Sequence, residues 1–245
     1  MPKFFVTKQQ ITQQIEILGE DAKHIKTVLR KKEGEELIVC DGEGIDYICN
    51  INHFEENKII VDIVEKQICE AEPPIKIILF QGLPKADKME LIIQKCVELG
   101  IDAIVPVETE RSIVKLNKKE YKKIERWQKI AEAAAKQSGR GKIPQIGNVL
   151  SFEQALQYSK KLDKISIPYE KEQKTKLKEF IKNFEGKSIG IFIGAEGGFS
   201  EQEIVKAVEQ NVLPVTLGKR ILRTETAGMI TTAILIYEIE QGDNI

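Results

Sequence analysis

Residues 188–203 read SIGIFIGAEGGFSEQE, and this stretch decides the fold class. The apolar run Ser188–Gly194 is typical of a buried strand, and a helix is predicted over Ser200–Gln210. Ser200 and Glu203 have the spacing of a capping box, which fixes where that helix begins. Because three glycines stand between strand and helix, the backbone there can turn sharply and approach a ligand closely. The stretch therefore predicts an α/β sheet with a ligand site at the carboxyl end of this strand.

A second junction of the same kind lies farther along the chain. Residues 214–227 read PVTLGKRILRTETA, with a predicted strand over Pro214–Gly218 and a predicted helix over Thr226–Glu240. Arg220 and Arg223 add cations close to the free backbone N–H groups at the start of this helix. A glycine turn alone is often only a turn, but two strand–glycine–helix junctions in one sheet favour a built pocket.

Two common phosphate-binding motifs are excluded. In a dinucleotide-binding fingerprint a second glycine would stand where this chain has Glu196, and a carboxylate there would repel a pyrophosphate. Residues 185–188 read EGKS, like the end of a P-loop, but they lead into a strand, whereas a P-loop leads into a helix. The predicted ligand is therefore neither a dinucleotide nor a nucleoside triphosphate.

Strands and amphipathic helices alternate from residue 75 onward, before the two junctions are reached. The predicted strands and helices are Ile75–Gln81, Asp87–Leu99 (helix), Ala103–Val107, Lys119–Gln137 (helix) and Ile165–Pro168. This alternation indicates a mostly parallel sheet with helices on both faces. We predict an α/β domain over residues 73–245.

Before residue 73 the sequence predicts short strands and turns in place of alternating strands and helices. Short strands are predicted over Glu36–Cys40, Asp46–Ile51 and Lys58–Val64, with a short helix over Glu20–Arg30. The paired prolines of residues 70–74 are typical of a linker, since proline interrupts both helix and sheet. We predict a small β-barrel or sandwich domain over residues 1–72.

Charge is distributed unevenly although the net charge is only −1. Residues 1–72 carry 9 basic and 15 acidic residues, whereas residues 111–142 carry 11 basic residues and 3 glutamates. The basic segment is a candidate anion-binding surface, but a solvated helix face fits its charge as well. Trp127 has helical spacing from neighbouring apolar residues and is predicted to pack in the core.

The cysteines and the hydropathy indicate a cytoplasmic protein. None of the four cysteines forms a C-x-x-C pair, and the chain has two histidines, so we expect no metal site. The first residues lack the apolar core of a secretory signal, and no apolar run approaches the length of a membrane span. We therefore expect reduced cysteines and no membrane association.

Several motifs together resemble the SPOUT superfamily of knotted RNA methyltransferases, and the resemblance covers nearly the whole chain. Within it the sequence is most similar to the RsmE family, which methylates N3 of a uridine in 16S ribosomal RNA. The most specific matches are IGAEGGF at residues 193–199 and LGKRILRTETA at residues 217–227. The others are HIKTVLR at 24–30, KMELIIQKCVELG at 88–100, TERS at 109–112 and QSGR at 137–140.

The resemblance implies a fold, a cofactor and partners. The fold would be a PUA-like β-barrel followed by a SPOUT-type parallel sheet with a trefoil knot. The cofactor would be S-adenosyl-L-methionine, and the partners would be 16S ribosomal RNA or the assembled small ribosomal subunit and a second copy of the chain. The cofactor-binding residues would be Gly194, Glu196, Gly197, Gly198, Leu217, Gly218, Ile221, Leu222, Arg223, Thr226 and Ala227.

The uridine N3 carries a proton, which it must lose before it can accept a methyl group. Arg111 and Arg223 are candidate cations that would stabilise the developing negative charge or hold a phosphate. Glu225 or Glu196 could take the proton, although either could equally brace a loop.

Other cations are candidates for contact with RNA. Lys3 stands where the family often has arginine, which keeps the charge but loses the bidentate fork. The full set of RNA-contact candidates is Lys3, Arg30, Arg111, Lys115, Arg126 and Arg140.

Two alternatives to this function stay open. One is a knotted methyltransferase that acts on another RNA position. The other is a non-enzymatic RNA-binding or ribosome-assembly module, which would have no need of two glycine-rich ligand loops.

Overall fold

The computed structural model describes residues 3–112 and 120–242. The chain forms two units, each with its own internal contacts. The first unit comprises Met1–Glu72 together with Ala135–Ile143, and the second comprises Pro73–Ala134 together with Pro144–Ile245. Residues 135–143 therefore pack with the first unit although they lie inside the predicted α/β segment.

The first unit is built on a five-stranded sheet, with a 3-10 helical turn over Lys8–Gln10 and a longer helical segment. Its elements are β1 Lys3–Phe5, β2 Gln14–Leu18, α1 Gly19–Lys23 running into a π-helical turn His24–Val28, β3 Glu36–Cys40, β4 Ile45–Phe54 and β5 Lys58–Ile68. The strand order is β1-β3-β4-β5-β2, with β1 parallel to β3 and the other pairs antiparallel. Along β2, Ile15 and Ile17 point inward and alternate with exposed polar residues, as a strand with one buried face requires.

Buried ion pairs connect the segment of residues 135–143 to this sheet. Lys3 Nζ lies 2.7 Å from Asp46 Oδ2 and donates to the Gly139 carbonyl oxygen at 2.7 Å. Arg140 Nη2 lies 2.8 Å from Glu72 Oε2, and the arginine is 3% exposed. Lys3 and Arg140, which were predicted to contact RNA, are therefore each paired with a carboxylate inside the unit, and their contact with RNA stays a prediction.

The second unit is an α/β fold. Its elements are β6 Lys76–Gly82, α2 Lys88–Glu98, β7 Ala103–Glu108, α3 Glu120–Gln137 (its last residues in the first unit), β8 Gln145–Ile146, β9 Leu150–Ser151, α4 Phe152–Ser159, β10 Lys164–Pro168, α5 Leu177–Ile181, β11 Ser188–Ile193, α6 Glu201–Glu209, β12 Leu213–Val215 and α7 Thr224–Gly242. The sheet is parallel throughout, in the order β12-β10-β11-β6-β7-β8, with β9 beside β7. The predicted α/β fold with a parallel sheet is confirmed.

The core of the second unit explains why its central strands read as continuous apolar runs. β6 and β11 pair along six residues, and both are covered on their two faces. Phe80 and Phe192 stack with ring centroids 4.4 Å apart, and Phe152 meets Phe192 edge-on at 5.8 Å. Trp127 is buried, as predicted from its spacing.

Candidate functional site

Three strand ends meet at one edge of the parallel sheet and enclose a cavity of about 530 Å³. Residues 194–199, which we call the glycine loop, follow β11 and line one side. Residues 217–227, which we call the arginine loop, follow β12 and line another. The two junctions singled out in the sequence therefore lie side by side and share one cavity.

The glycine loop depends on glycine at two positions. Gly198 has φ +63°, a left-handed conformation that side chains with a Cβ rarely adopt. A Cβ on Gly194 would lie 2.9 Å from Gly198 Cα, so the loop closes on itself with no room for a side chain. The Gly198 N–H donates to the Ala195 carbonyl oxygen at 3.0 Å and closes the turn.

The predicted capping box at the end of the glycine loop is confirmed. Glu203 N donates to Ser200 Oγ at 3.2 Å, and Ser200 N donates to Glu203 Oε2 at 2.9 Å. The other Glu203 oxygen accepts from Glu110 N at 2.9 Å. The cap therefore also fixes the segment that carries Arg111.

Arg111 packs against the glycine loop from outside the sheet. Its Nη1 donates to the Gly197 carbonyl oxygen at 3.0 Å, and a Cβ on Gly197 would come within 3.0 Å of Arg111 Cβ. The rest of the guanidinium is exposed. Arg111 is therefore placed to support the loop while keeping donors available to a ligand.

The arginine loop presents cations and apolar side chains at the cavity. Gly218 has φ +108° and nothing within 4 Å of where its Cβ would stand, so its backbone faces open space. Arg223 is exposed and lines the cavity, and its guanidinium has no ion-pair or hydrogen-bond partner in the described part of the chain. Ile221 is 89% exposed. The helix begins at Thr224, two residues before the predicted start at Thr226.

A buried hydrogen-bond chain connects the two loops. Gln81 Nε2 donates to Thr224 Oγ1 at 2.9 Å, and Thr224 Oγ1 donates to the Gly194 carbonyl oxygen at 2.6 Å. Gln81 is fully buried at the end of β6. The sequence analysis missed it, because a single glutamine in an apolar strand carries no local motif.

The two candidate proton acceptors are both turned toward Lys88. Lys88 Nζ lies 2.9 Å from Glu196 Oε1 and 3.7 Å from Glu225 Oε2. Burial raises the pKa of Glu196, but hydrogen bonds from Lys88 and the Lys85 backbone outweigh it and leave that pKa below its ordinary value. The described residues that line the cavity include Arg223 and Thr224 but not Glu225. These contacts are those of loop braces rather than of a free base.

The remaining candidates for contact with RNA differ in what the structure says of them. Arg126 lies on α3 with its side chain 65% exposed and pairs with Glu90 at 2.8 Å. Arg30 is exposed and has φ +52°. Lys115 lies outside the described residues.

Residues 168–170 also line the cavity, at the end of β10. A Cβ on Gly198 would lie 3.6 Å from Glu170 Oε2, which places this carboxylate opposite the glycine loop. The sequence analysis predicted the strand but did not extend the site to it. The signal was available, because all parallel strands end at the same edge of the sheet.

No group of three or more His, Cys, Asp or Glu side chains in residues 3–112 and 120–242 could hold a metal ion. No helix in those same ranges is both long and apolar enough to cross a membrane.

Sequence profiles of two domain families match the chain. The RNA methyltransferase domain matches residues 71–236, and the RNA methyltransferase PUA domain matches residues 17–64. The first match covers the parallel sheet and both loops of the cavity. The second lies within the five-stranded unit.

Full-length relatives agree with these profiles. The chain is 39% identical to the ribosomal RNA small subunit methyltransferase E of Bacillus subtilis, over 99% of this chain and 100% of that protein. It is 33% identical to the protein of that name from Buchnera aphidicola, over 98% of this chain and 95% of the relative. The structure of the Neisseria gonorrhoeae enzyme of that name, bound to S-adenosyl methionine, has a TM-score of 0.85 at 32% identity and covers 96% of each chain. The chain belongs to this family of RNA methyltransferases, the RsmE family.

Proposed function

We propose that this protein transfers a methyl group from S-adenosyl-L-methionine to N3 of a uridine in 16S ribosomal RNA. The observation that carries the proposal is the shared cavity, which both family loops line. The relatives named above are ribosomal RNA small subunit methyltransferases, and one of them binds the cofactor. The partner is then 16S ribosomal RNA or the assembled small subunit, and the location is the cytoplasm.

The cavity fits this cofactor in size and character. A volume of about 530 Å³ lies in the range of small-molecule sites. The glycine loop offers backbone at close range, while Leu217, Ile221 and Leu222 supply apolar surface for an adenine ring. Glu170 can accept hydrogen bonds from ribose hydroxyls or the cofactor ammonium group.

When bound, the cofactor supplies a methyl group that is already activated by its positively charged sulfur. The remaining task of the chain is orientation and charge stabilisation. Uridine N3 must lose its proton, and a cation close to O2 or O4 stabilises the anion that forms. Arg223 fits this role because it lines the cavity and has no competing partner in the described ranges. Arg111 holds the glycine loop and can contact the RNA with its remaining donors.

The proposal includes a homodimer and the trefoil knot. On helix α7, Ile230, Ile234 and Tyr237 are exposed along one side. An exposed apolar row of this kind is typical of an interface, and the second copy is the occupant that the family resemblance implies. Since α7 continues from the arginine loop, the interface would lie next to the site. Sedimentation of Ile234→Glu against wild type tests this.

The test of the function is a calorimetric titration followed by a transfer assay. We expect purified protein to bind S-adenosylmethionine and to methylate 16S RNA or small subunits from a strain that lacks the enzyme. Mass mapping of the product then locates the methyl group. A methyl group at another nucleotide would favour the alternative RNA target, and absence of cofactor binding would favour a non-enzymatic RNA-binding module.

Replacing Thr224 by valine tests the hydrogen-bond chain between the loops. Valine keeps the shape but removes the acceptor of one Gln81 Nε2 hydrogen bond and the hydroxyl that donates to the Gly194 carbonyl, while the bond from Gln81 Nε2 to the Gly82 carbonyl stays. We expect the free energy of unfolding to fall by about 1–3 kcal/mol and cofactor affinity to fall with it. Thr232→Val on the same helix is the matched control, since Thr232 Oγ1 donates to the helix's own Gly228 carbonyl at 2.9 Å. Equal cofactor affinities in the two variants would contradict the role of the chain.

A further inference from the structure

One cation stands between the carboxylates of the two loops. Lys88 Nζ donates to Glu196 Oε1 of the glycine loop at 2.9 Å and lies 3.7 Å from Glu225 Oε2 of the arginine loop. The hydrogen bond to Glu196 raises the pKa of Lys88 above its ordinary value, so the amine stays charged. Lys88 itself does not line the cavity, whose described lining residues come from three strand ends.

The start of helix α2, which carries Lys88, is anchored in the core. Lys88 is the first residue of α2, and five residues of this helix pack in the core: Met89, Ile92, Ile93, Cys96 and Val97. The turn before the helix is also hydrogen-bonded to the glycine loop, because Lys85 N donates to Glu196 Oε1 at 3.1 Å. Ala86 in that turn has φ +52°, an unfavourable conformation for alanine that directs the chain into this arrangement.

Lys88 matters more for neutralising Glu225 than for neutralising Glu196. Its Oε2 is buried and has no hydrogen-bond partner among the residues that the structure describes. Lys88 is the cation that the structure places beside it. Without Lys88, the like charges of Glu196 and Glu225 would remain at the junction of the loops, and the buried Glu225 Oε2 would lose the cation beside it.

We infer that Lys88 is a positioning residue, which holds the glycine loop and the arginine loop in register by neutralising Glu196 and Glu225. The inference rests on the proposed function for its consequence, since the two loops are the proposed cofactor site. Lys88 touches neither the cofactor nor the target base. It acts by fixing the backbone that does.

The first test is hydrogen–deuterium exchange on the protein without ligand. We expect Lys88→Met to speed exchange of the backbone in both residues 194–199 and residues 217–227. Lys95→Met is the matched control, because Lys95 lies on the same helix and pairs with Glu98 at 2.9 Å, away from both loops. Unchanged exchange in either loop of Lys88→Met would overturn the inference. This readout requires no cofactor, so it stands even if the proposed function fails.

The second test is calorimetric titration with S-adenosylmethionine and with S-adenosylhomocysteine. We expect Lys88→Met to lower the affinity for both ligands by about tenfold. This loss lies between the effects of removing an exposed and a buried ion pair. Lys88→Arg should restore most of the affinity. The KM for the cofactor should rise by a larger factor than kcat at saturating cofactor falls. A fall in kcat with unchanged KM would contradict a positioning role.

A double-mutant cycle keeps the test decisive if Lys88→Met folds poorly. In a Glu196→Gln background the lysine has less charge to neutralise, so its removal should cost much less in affinity and in loop protection. Glu225→Gln added to Lys88→Met should recover stability, because it removes the buried uncompensated charge. Strictly additive effects across these variants would refute the inference. If wild type itself bound no cofactor, the proposed function would fail while the exchange experiment still decided the role of Lys88.

Discussion

Replacing Gly82 by alanine is expected to abolish measurable binding of S-adenosylmethionine. A Cβ on Gly82 would lie 2.5 Å from Ala195 N and 2.9 Å from the Gly194 carbonyl carbon. Both neighbours are backbone atoms, so the glycine loop must move away from β6. A misplacement of about 1 Å can cost about a hundredfold in catalysed rate. We expect the loss of cofactor affinity, measured by calorimetry, to be at least as large.

Gly190→Ala is the matched control for this prediction. Gly190 lies in β11, the strand next to β6, and its added Cβ would meet the end of a side chain, Leu162 Cδ1, at 2.9 Å. A side-chain end can give way, so we expect a modest loss of stability and retained cofactor binding. Wild-type affinity in Gly82→Ala would mean that the cofactor does not depend on this loop geometry.

Replacing Arg223 by alanine is expected to lower kcat by about a hundredfold or more while leaving cofactor affinity nearly unchanged. The guanidinium lines the cavity and has no partner within the ranges that the structure describes, so its removal leaves no buried charge behind. The charge of the guanidinium is then available to stabilise the developing anion on the uridine. Single-turnover kinetics at saturating cofactor, together with calorimetry, separate the two effects.

Two controls sharpen the Arg223 prediction. Arg223→Lys keeps the charge without the planar fork and should recover only part of the rate. Lys178→Ala removes an exposed cation on α5, outside the cavity lining, and should have no effect. A full rate in Arg223→Ala would remove this residue from the chemistry.

The glycine loop and its capping box were predictable because their signals are local. Strand Ser188–Ile193, the turn after it and the hydrogen bonds of Ser200 with Glu203 all lie within sixteen residues of sequence, 188–203. The arginine loop was predictable for the same reason, although helix α7 begins two residues earlier than expected. The chemical identity of the cofactor came from the family resemblance and not from these local patterns.

What the sequence analysis missed depends on contacts between distant residues. Gln81 and Thr224 are 143 positions apart, and only the fold makes them partners. The ion pairs of Lys3 and Arg140 were missed for the same reason, because their carboxylate partners Asp46 and Glu72 also come from far along the chain.

Short elements were missed for a different reason. Strands β8 and β9 are two residues long, and helix α5 has five residues, so neither hydrophobic period can develop in them. Their existence is decided by the neighbouring strand or helix that they join. Helix α4 is eight residues long and carries a capping box at Ser151, which was a usable signal.

Because residues 135–143 pack with the first unit, this unit cannot be produced intact by truncating the chain after residue 72. A fragment that stops after residue 72 would keep Glu72 but lose Arg140, which neutralises it, and would keep Lys3 but lose the Gly139 carbonyl. Such a truncation would leave Glu72 without its cation, although Lys3 would keep its ion pair with Asp46. A chimera between relatives must therefore exchange the amino-terminal piece and this nine-residue insertion as a matched set.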